Sequence, residues 1–216
     1  MNIYIPTTPS PNSPPSRPGA LARKMTCASA YAIAALTLLA LSPAALAAWD
    51  LDQLMQNLAQ HKSGRATFTE KKYIAVLEKP VESSGDLLYT APDRLEKRTF
   101  KPKPESMVIS GSELLVERGR QKHRVQLQNY PELAAFIDSI RGTLAGDLKA
   151  LERNYQLSLD GTSERWTLQL LPLDEKMRAV VQRIQIAGSA DEVRSVEISQ
   201  ADGDHSVMTI EKLATP

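Results

Sequence analysis

Thiol chemistry is nearly absent from this chain: its 216 residues hold one cysteine, Cys27. Cys27 precedes an apolar run from Ala28 to Leu41, which follows Arg23 and Lys24 and leads to the small-residue sequence Ala45-Leu46-Ala47. That order describes an export leader cleaved after Ala47. Cys27 leaves with the leader, so the mature chain has no disulfide, no thiolate metal ligand and no cysteine nucleophile. No cysteine stands at the cleavage point to carry a lipid anchor, which predicts a soluble periplasmic product beginning Ala48-Trp49-Asp50. Long apolar runs are lacking too. The run of about 14 residues is too short to span a bilayer, and Ser42-Pro43 breaks it, so it serves as a removable address.

Charge of one sign is also missing. Removing the 47-residue leader from 216 residues leaves 169, enough for one domain around one core. The leader takes Arg17, Arg23 and Lys24, leaving 23 of the 26 basic residues against 25 acidic ones. Nucleic acid as a partner would call for a basic excess, and none exists. Lys71-Lys72 and the basic residues from Arg118 to Arg124 are offset by Glu70, Glu113 and Glu117, the composition of a solvated strand face.

Histidines are few and scattered. His61, His123 and His205 share no ligand spacing, and no nucleophile is paired with a base. Asp202-x-Asp204-His205 lacks the other ligands of a calcium loop and suits a hairpin turn. Ser110-Gly111-Ser112 lacks the nucleophile-elbow pattern and suits a turn as well. No enzyme activity, cofactor or metal is expected.

What is present is patterning. Asp50 is placed to cap a helix whose apolar residues Leu51, Leu54, Met55 and Leu58 share one face, with Gln53 closing the cap. From Gly64 to Gln128 the period falls towards two: Ala66 and Phe68, Ile74 and Val76, Leu88, Leu95, Met107 and Ile109, Leu114 and Val116, Val125 and Leu127. Turn chemistry separates these strands at Ser83-Ser84-Gly85, Ala91-Pro92-Asp93, Pro102-Lys103-Pro104, Ser110-Gly111-Ser112 and Arg118-Gly119-Arg120. Tyr130-Pro131 breaks the alternation. A helical stripe through Leu133, Phe136, Ile137, Ile140 and Leu144 then runs to Gly146, with Leu148 and Leu151 in a short extension. Strand signals resume at 157–159, 166–170, 184–186, 196–198 and 207–213, with a turn at Asp202-Gly203-Asp204.

Two sets of antiparallel strands around a mid-chain helix predict an α+β fold with a strongly curved sheet, open or nearly closed. Periodicity leaves open whether the space inside is packed solid or holds a guest.

Three segments carry a resemblance. Phe68-Thr69-Glu70-Lys71 is similar to the first strand, after an N-terminal helix, of the LolA-like periplasmic carriers of outer-membrane lipoproteins. Gly85-Asp86-Leu87-Leu88-Tyr89-Thr90-Ala91-Pro92 resembles their glycine-led second strand ending in a proline turn, and Asp93-Arg94-Leu95-Glu96 continues into the third. Pro104-Glu105-Ser106-Met107-Val108-Ile109-Ser110-Gly111-Ser112-Glu113-Leu114 resembles the next hairpin. The three keep their order over the first half of the mature chain, and the second half matches in pattern.

The resemblance implies an incomplete antiparallel barrel covered by an N-terminal helix and a mid-chain helical lid over a hydrophobic cavity for acyl chains. It assigns residues 48–216 to a lipid-carrier domain. The implied cavity residues are Phe68, Leu88, Leu95, Met107, Ile109, Trp166 and Leu168, with Phe136, Ile137, Ile140 and Leu144 in the lid. The implied partners are an acylated lipid or lipoprotein cargo and inner- and outer-membrane transfer proteins, with the carrier a monomer. A sensor or interaction domain of the same fold without transported cargo is the alternative.

Two departures are visible. The family's arginine before the proline of the second-strand turn, implicated in holding the lid shut, is Ala91 here, so the lid is expected to be held mainly by apolar contacts. The chain also stops at Leu213-Ala214-Thr215-Pro216, without the carriers' extra C-terminal segment. Both suggest a divergent branch.

Overall fold

The computed structural model describes residues 49–213, and the expected leader and cleavage site lie outside them. Asp50 caps the opening helix α1 (Leu51–Leu58) by accepting the Gln53 backbone N–H at 2.9 Å. Its apolar stripe buries Leu54, Met55 and Leu58. Six strands follow: β1 (Ser63–Tyr73), β2 (Val81–Thr90), β3 (Arg94–Lys101), β4 (Glu105–Ser110), β5 (Glu113–Arg118) and β6 (Gln121–Gln126). A 3-10 turn at Leu127–Asn129 leads into α2 (Pro131–Ala145) and α3 (Leu148–Glu152). The chain then forms β7 (Tyr155–Thr162), β8 (Arg165–Pro172), the short α4 (Glu175–Arg178), β9 (Val181–Ser189), β10 (Glu192–Gln200) and β11 (His205–Lys212).

All eleven strands join one antiparallel sheet in the order β6-β5-β4-β3-β2-β1-β11-β10-β9-β8-β7. The first and last strands pair at its middle, with Phe68 opposite Ile210 and Glu70 opposite Met208. The sheet does not close: β6 and β7 are its edges, and α2 and α3 occupy the connection between them. The result is an α+β fold with an incomplete antiparallel barrel, as the alternation predicts.

The lid helix begins with Pro131 at its first turn, where a missing N–H costs nothing, and ends at Gly146 in the left-handed conformation (φ 67°). The Asp147 N–H returns to the Gly142 carbonyl at 2.8 Å and seals that end. Among the described residues, no helix is long and apolar enough to cross a membrane.

Two local expectations are corrected. Ile74 and Val76 fall outside β1, and Val76 is 88 % exposed. Ser83-Ser84-Gly85 is not a turn but lies inside β2, at a register shift opposite β3. Gly85 is there because a Cβ would sit 1.8 Å from the Arg98 carbonyl oxygen, so the residue serves close approach of two backbones. The helix α4 has no periodic stripe to announce it. It is one capped turn, with Asp174 accepting from the Met177 N–H at 3.0 Å and Met177 buried.

Candidate functional site

Pairing register fixes one concave face across the sheet, because alternate side chains share a side. On that face β8 and β9 present Trp166, Leu168, Leu170, Ile184 and Ile186, all 0–1 % exposed, and α1 and α3 cover them with Leu54, Met55, Leu58 and Leu151. This half is filled. Over β3 to β5 the same face presents Leu95, Met107, Ile109 and Leu114, which α2 roofs without filling the space.

A cavity of about 810 Å³ remains between them. Its walls are Leu95, Met107, Ile109 and Leu114 on one side and Val196, Ile198, Met208 and Ile210 on the other, with Phe136, Ile137, Ile140 and Leu144 of α2 above. Sites that bury small-molecule ligands run roughly 300–1,000 Å³ and are lined mostly by apolar side chains.

The structure thus brings together Leu95, Met107, Ile109 and all four expected lid residues around one space. Leu88 is withdrawn from the wall: it borders the space, but it alternates with Leu87 and Tyr89, whose register matches the concave face, so its side chain lies on the opposite side of the sheet. Trp166 and Leu168 are corrected. Both belong to the filled half, where the Trp166 ring lies against Gly188 and its Nε1–H donates to the Ala190 carbonyl at 2.9 Å. Phe68 is also withdrawn from the cavity wall: it is 3 % exposed, lies opposite Gly85 and carries the Lys97 ammonium 4.7 Å from its ring centre. Sequence reasoning missed the far wall on β10 and β11. The alternation of Val196 with Ile198 and of Met208 with Ile210 was its signal, but which face they share depends on pairing between the two chain ends.

The lid's attachment also differs from expectation. Ala91 supplies no guanidinium, and its N–H donates to the Lys62 carbonyl at 2.8 Å. The lid carries its own arginine instead. Arg141 Nη1 donates to the Gly111 carbonyl at 2.7 Å and lies 3.4 Å from the Asp93 carbonyl, while Nη2 pairs with Asp138 on the same helix. One side chain therefore ties α2 to both the β2–β3 and β4–β5 turns. From the other side of the helix, the Tyr155 hydroxyl donates to the Ala135 carbonyl at 3.1 Å. Burial pushes the Tyr155 pKa up to about 12. Gly142 lets Leu151 of α3 approach, since a Cβ there would meet Leu151 Cδ2 at 2.9 Å.

Polar groups border this apolar space. Glu70 and Lys97 pair at 2.5 Å, and Ser83 Oγ donates to Glu70 at 3.2 Å. His61 meets Asp191 at 2.6 Å, and Lys212 meets Glu192 at 2.8 Å. Burial pushes the Asp191 carboxyl up, but the His61 hydrogen bond and the nearby charges outweigh it and hold the group below its ordinary range. The Lys212 hydrogen bond does the same for Glu192 against a smaller opposing burial. Tyr89 has a buried hydroxyl with no partner among the described residues, and burial together with the Asp93 charge raises its pKa. The three histidines do not converge: His61 faces Asp191, His205 stacks on Tyr73 with ring centres 4.4 Å apart, and His123 is exposed on β6.

The family model described as outer membrane lipoprotein carrier protein LolA-like matches residues 42–214. No curated protein sequence matches the chain. Among solved structures it is similar to a LolA superfamily protein from Nitrosomonas europaea, at 12% identity and TM-score 0.40, covering 77% of this chain and 93% of that one. A putative outer membrane lipoprotein-sorting protein domain from Vibrio parahaemolyticus gives 8% identity and TM-score 0.39 over 77% and 92%. The MucA/MucB complex from Pseudomonas aeruginosa gives 12% identity and TM-score 0.44 over 77% and 58%.

Proposed function

The chain belongs to the LolA-like outer membrane lipoprotein carrier protein family, and from that premise we propose that it is a periplasmic carrier that shields the acyl chains of a lipid or lipoprotein during transfer towards the outer membrane. The observation that carries this reading is the apolar cavity of about 810 Å³ beneath α2. Transport of acyl chains needs no bond-making. It needs a surface that removes methylenes from water, at about 0.8 kcal/mol each, and a roof that can release them again. A void with aliphatic walls is costly to a protein that never fills it, because its lining forgoes packing contacts. An acyl guest supplies those contacts.

The leader ending at Ala47 supports export to the periplasm, and N-terminal sequencing that reads Ala48-Trp49-Asp50 is the expected check. The function itself is tested with delipidated protein and vesicles containing a fluorescent diacyl lipid. Wild type is expected to take up the lipid and deliver it to acceptor vesicles. Ile109→Trp, which narrows the cavity from its β4 wall, is expected to do both less well while keeping its strand signal. Folded wild type that takes up no lipid would overturn the carrier reading in favour of an interaction domain.

A further inference from the structure

Glu70 and Lys97 sit at the edge of the apolar part of the concave face. Register places Met208 opposite Glu70, and Leu87 and Met107 opposite Lys97. Gly85, between them on β2, has no side chain to separate them, so Lys97 reaches across the gap to Glu70 over the Phe68 ring. The pair is mostly buried, with side chains 18 % and 26 % exposed, and both residues line the cavity. Two aliphatic residues would cover Phe68 equally well without desolvating two ions, so stability does not explain the pair. Lys72, two residues from Glu70 on the same face, also lines the cavity, is exposed and forms no ion pair among the described residues. At this edge of the apolar space two ammonium groups thus face one carboxylate, while Glu96, Glu132, Asp191 and Glu192 accompany Arg65 and Lys212 around the rest of the lining.

We infer that Lys97 and Lys72 receive the anionic, phosphate-type headgroup of a lipid whose chains fill the cavity, a site that deepens the carrier reading and rests on it. Lys97 swings from Glu70 to the headgroup, keeping its charge paired throughout. Glu70, which still accepts from Ser83, competes with the ligand for that ammonium and so sets the selectivity. Charge-assisted hydrogen bonds to a phosphate are roughly twice as strong as neutral ones, so the headgroup adds discrimination to binding that the chain dominates.

The test compares a fluorescent alkyl phosphate with the alcohol of the same chain and fluorophore. Wild type is expected to prefer the phosphate by about ten-fold at low salt, with the preference shrinking as salt rises. Lys97→Met is expected to abolish most of that preference and leave alcohol binding in place. Lys72→Gln, at an exposed position safe for folding, is expected to reduce it in part, and Glu70→Gln to increase it. Millimolar inorganic phosphate is expected not to displace either probe. Equal binding of both probes by wild type, or a ratio unmoved in both folded lysine variants, overturns the headgroup site while leaving the carrier reading intact. Displacement of only the phosphate probe by inorganic phosphate reassigns the cluster to free phosphate and also overturns it. Failure of both probes to bind removes the carrier reading and this site together.

Discussion

Glycine and aromatic residues work in pairs on the concave face. Trp166 lies opposite Gly188 and Phe68 opposite Gly85, so each ring occupies the slot left by a missing side chain. At Gly188 a Cβ would sit 2.3 Å from the Trp166 ring and 2.2 Å from the Glu192 carbonyl oxygen. Gly188→Ala is therefore expected to cost about 1–3 kcal/mol in urea unfolding, the usual penalty for overpacking, with probe binding per folded molecule unchanged. Arg141 makes the opposite kind of contribution. Arg141→Met removes the side chain joining α2 to the Gly111 and Asp93 carbonyls, and a hydrogen bond to a charged group is worth about 1.5–3 kcal/mol. Release of an acyl probe is expected to accelerate about ten-fold or more by stopped-flow fluorescence, and unchanged release would show that this contact does not hold the lid. Alternation marked Met107 and Ile109 as sharing a face, and the family resemblance placed them with Leu95 around a cavity. It left Trp166 and Leu168 misplaced, because alternation does not state whether a helix presses down on that face or stands off it. Arg141 was invisible for a similar reason: its partners are backbone carbonyls in turns 30 and 48 residues away.

At the scale of elements, α2 is held at both ends and along both sides. Gly146 ends it with positive φ in a place where a Cβ would lie 2.1 Å from the Met55 carbonyl oxygen of α1. Gly146→Ala therefore combines backbone strain with a clash and is expected to lower thermal stability more than Gly64→Ala, where a Cβ meets nothing within 4 Å. Equal melting temperatures would refute the close α1–α2 junction. The Tyr155 bond to Ala135 gives the junction a pH dependence. Its hydroxyl ionises near 10.0 in an ordinary setting but at about 12 when buried, so the folded state holds a proton that the unfolded state gives up first. This contribution is fully present below pH 10.0 and is lost as pH rises through about 12. Tyr155→Phe is expected to flatten that alkaline decline in denaturant melts. On the inner side of α2, Phe136→Glu or Ile140→Glu places a carboxylate over the apolar walls, where it must be desolvated or hold the lid open. Lipid loading is expected to fall while circular dichroism keeps the strand signal, and full loading by both would remove these residues from the roof. The helix boundaries were readable because caps are local chemistry: Asp50 before α1, Pro131 and Gly146 around α2. The one-turn α4 was not, since four residues offer a cap but no period.

As a whole molecule the protein is one sheet used in two ways. Strands β8 and β9 with α1 and α3 make a filled core, whereas β3 to β5 with α2 enclose a space, and β11 pairs with β1 to join the two parts. The curved sheet was legible from strand number and turn spacing. Its middle was not, because pairing β1 with β11 depends on residues more than 130 positions apart, such as Phe68 and Ile210. The division predicts a separation of effects. Leu168→Ala in the filled half is expected to cost about 2–5 kcal/mol with probe capacity retained per folded molecule. Narrowing the hollow half by Ile109→Trp is expected to reduce capacity at little cost in stability. The carrier claim is tested most directly by mass spectrometry of lipids extracted from natively purified protein, wild type beside Ile109→Trp. Wild type should yield an acylated, phosphate-bearing lipid in stoichiometric amount and Ile109→Trp less of it, whereas folded wild type that yields no acyl lipid, or two proteins that yield the same lipid in the same amount, would contradict it.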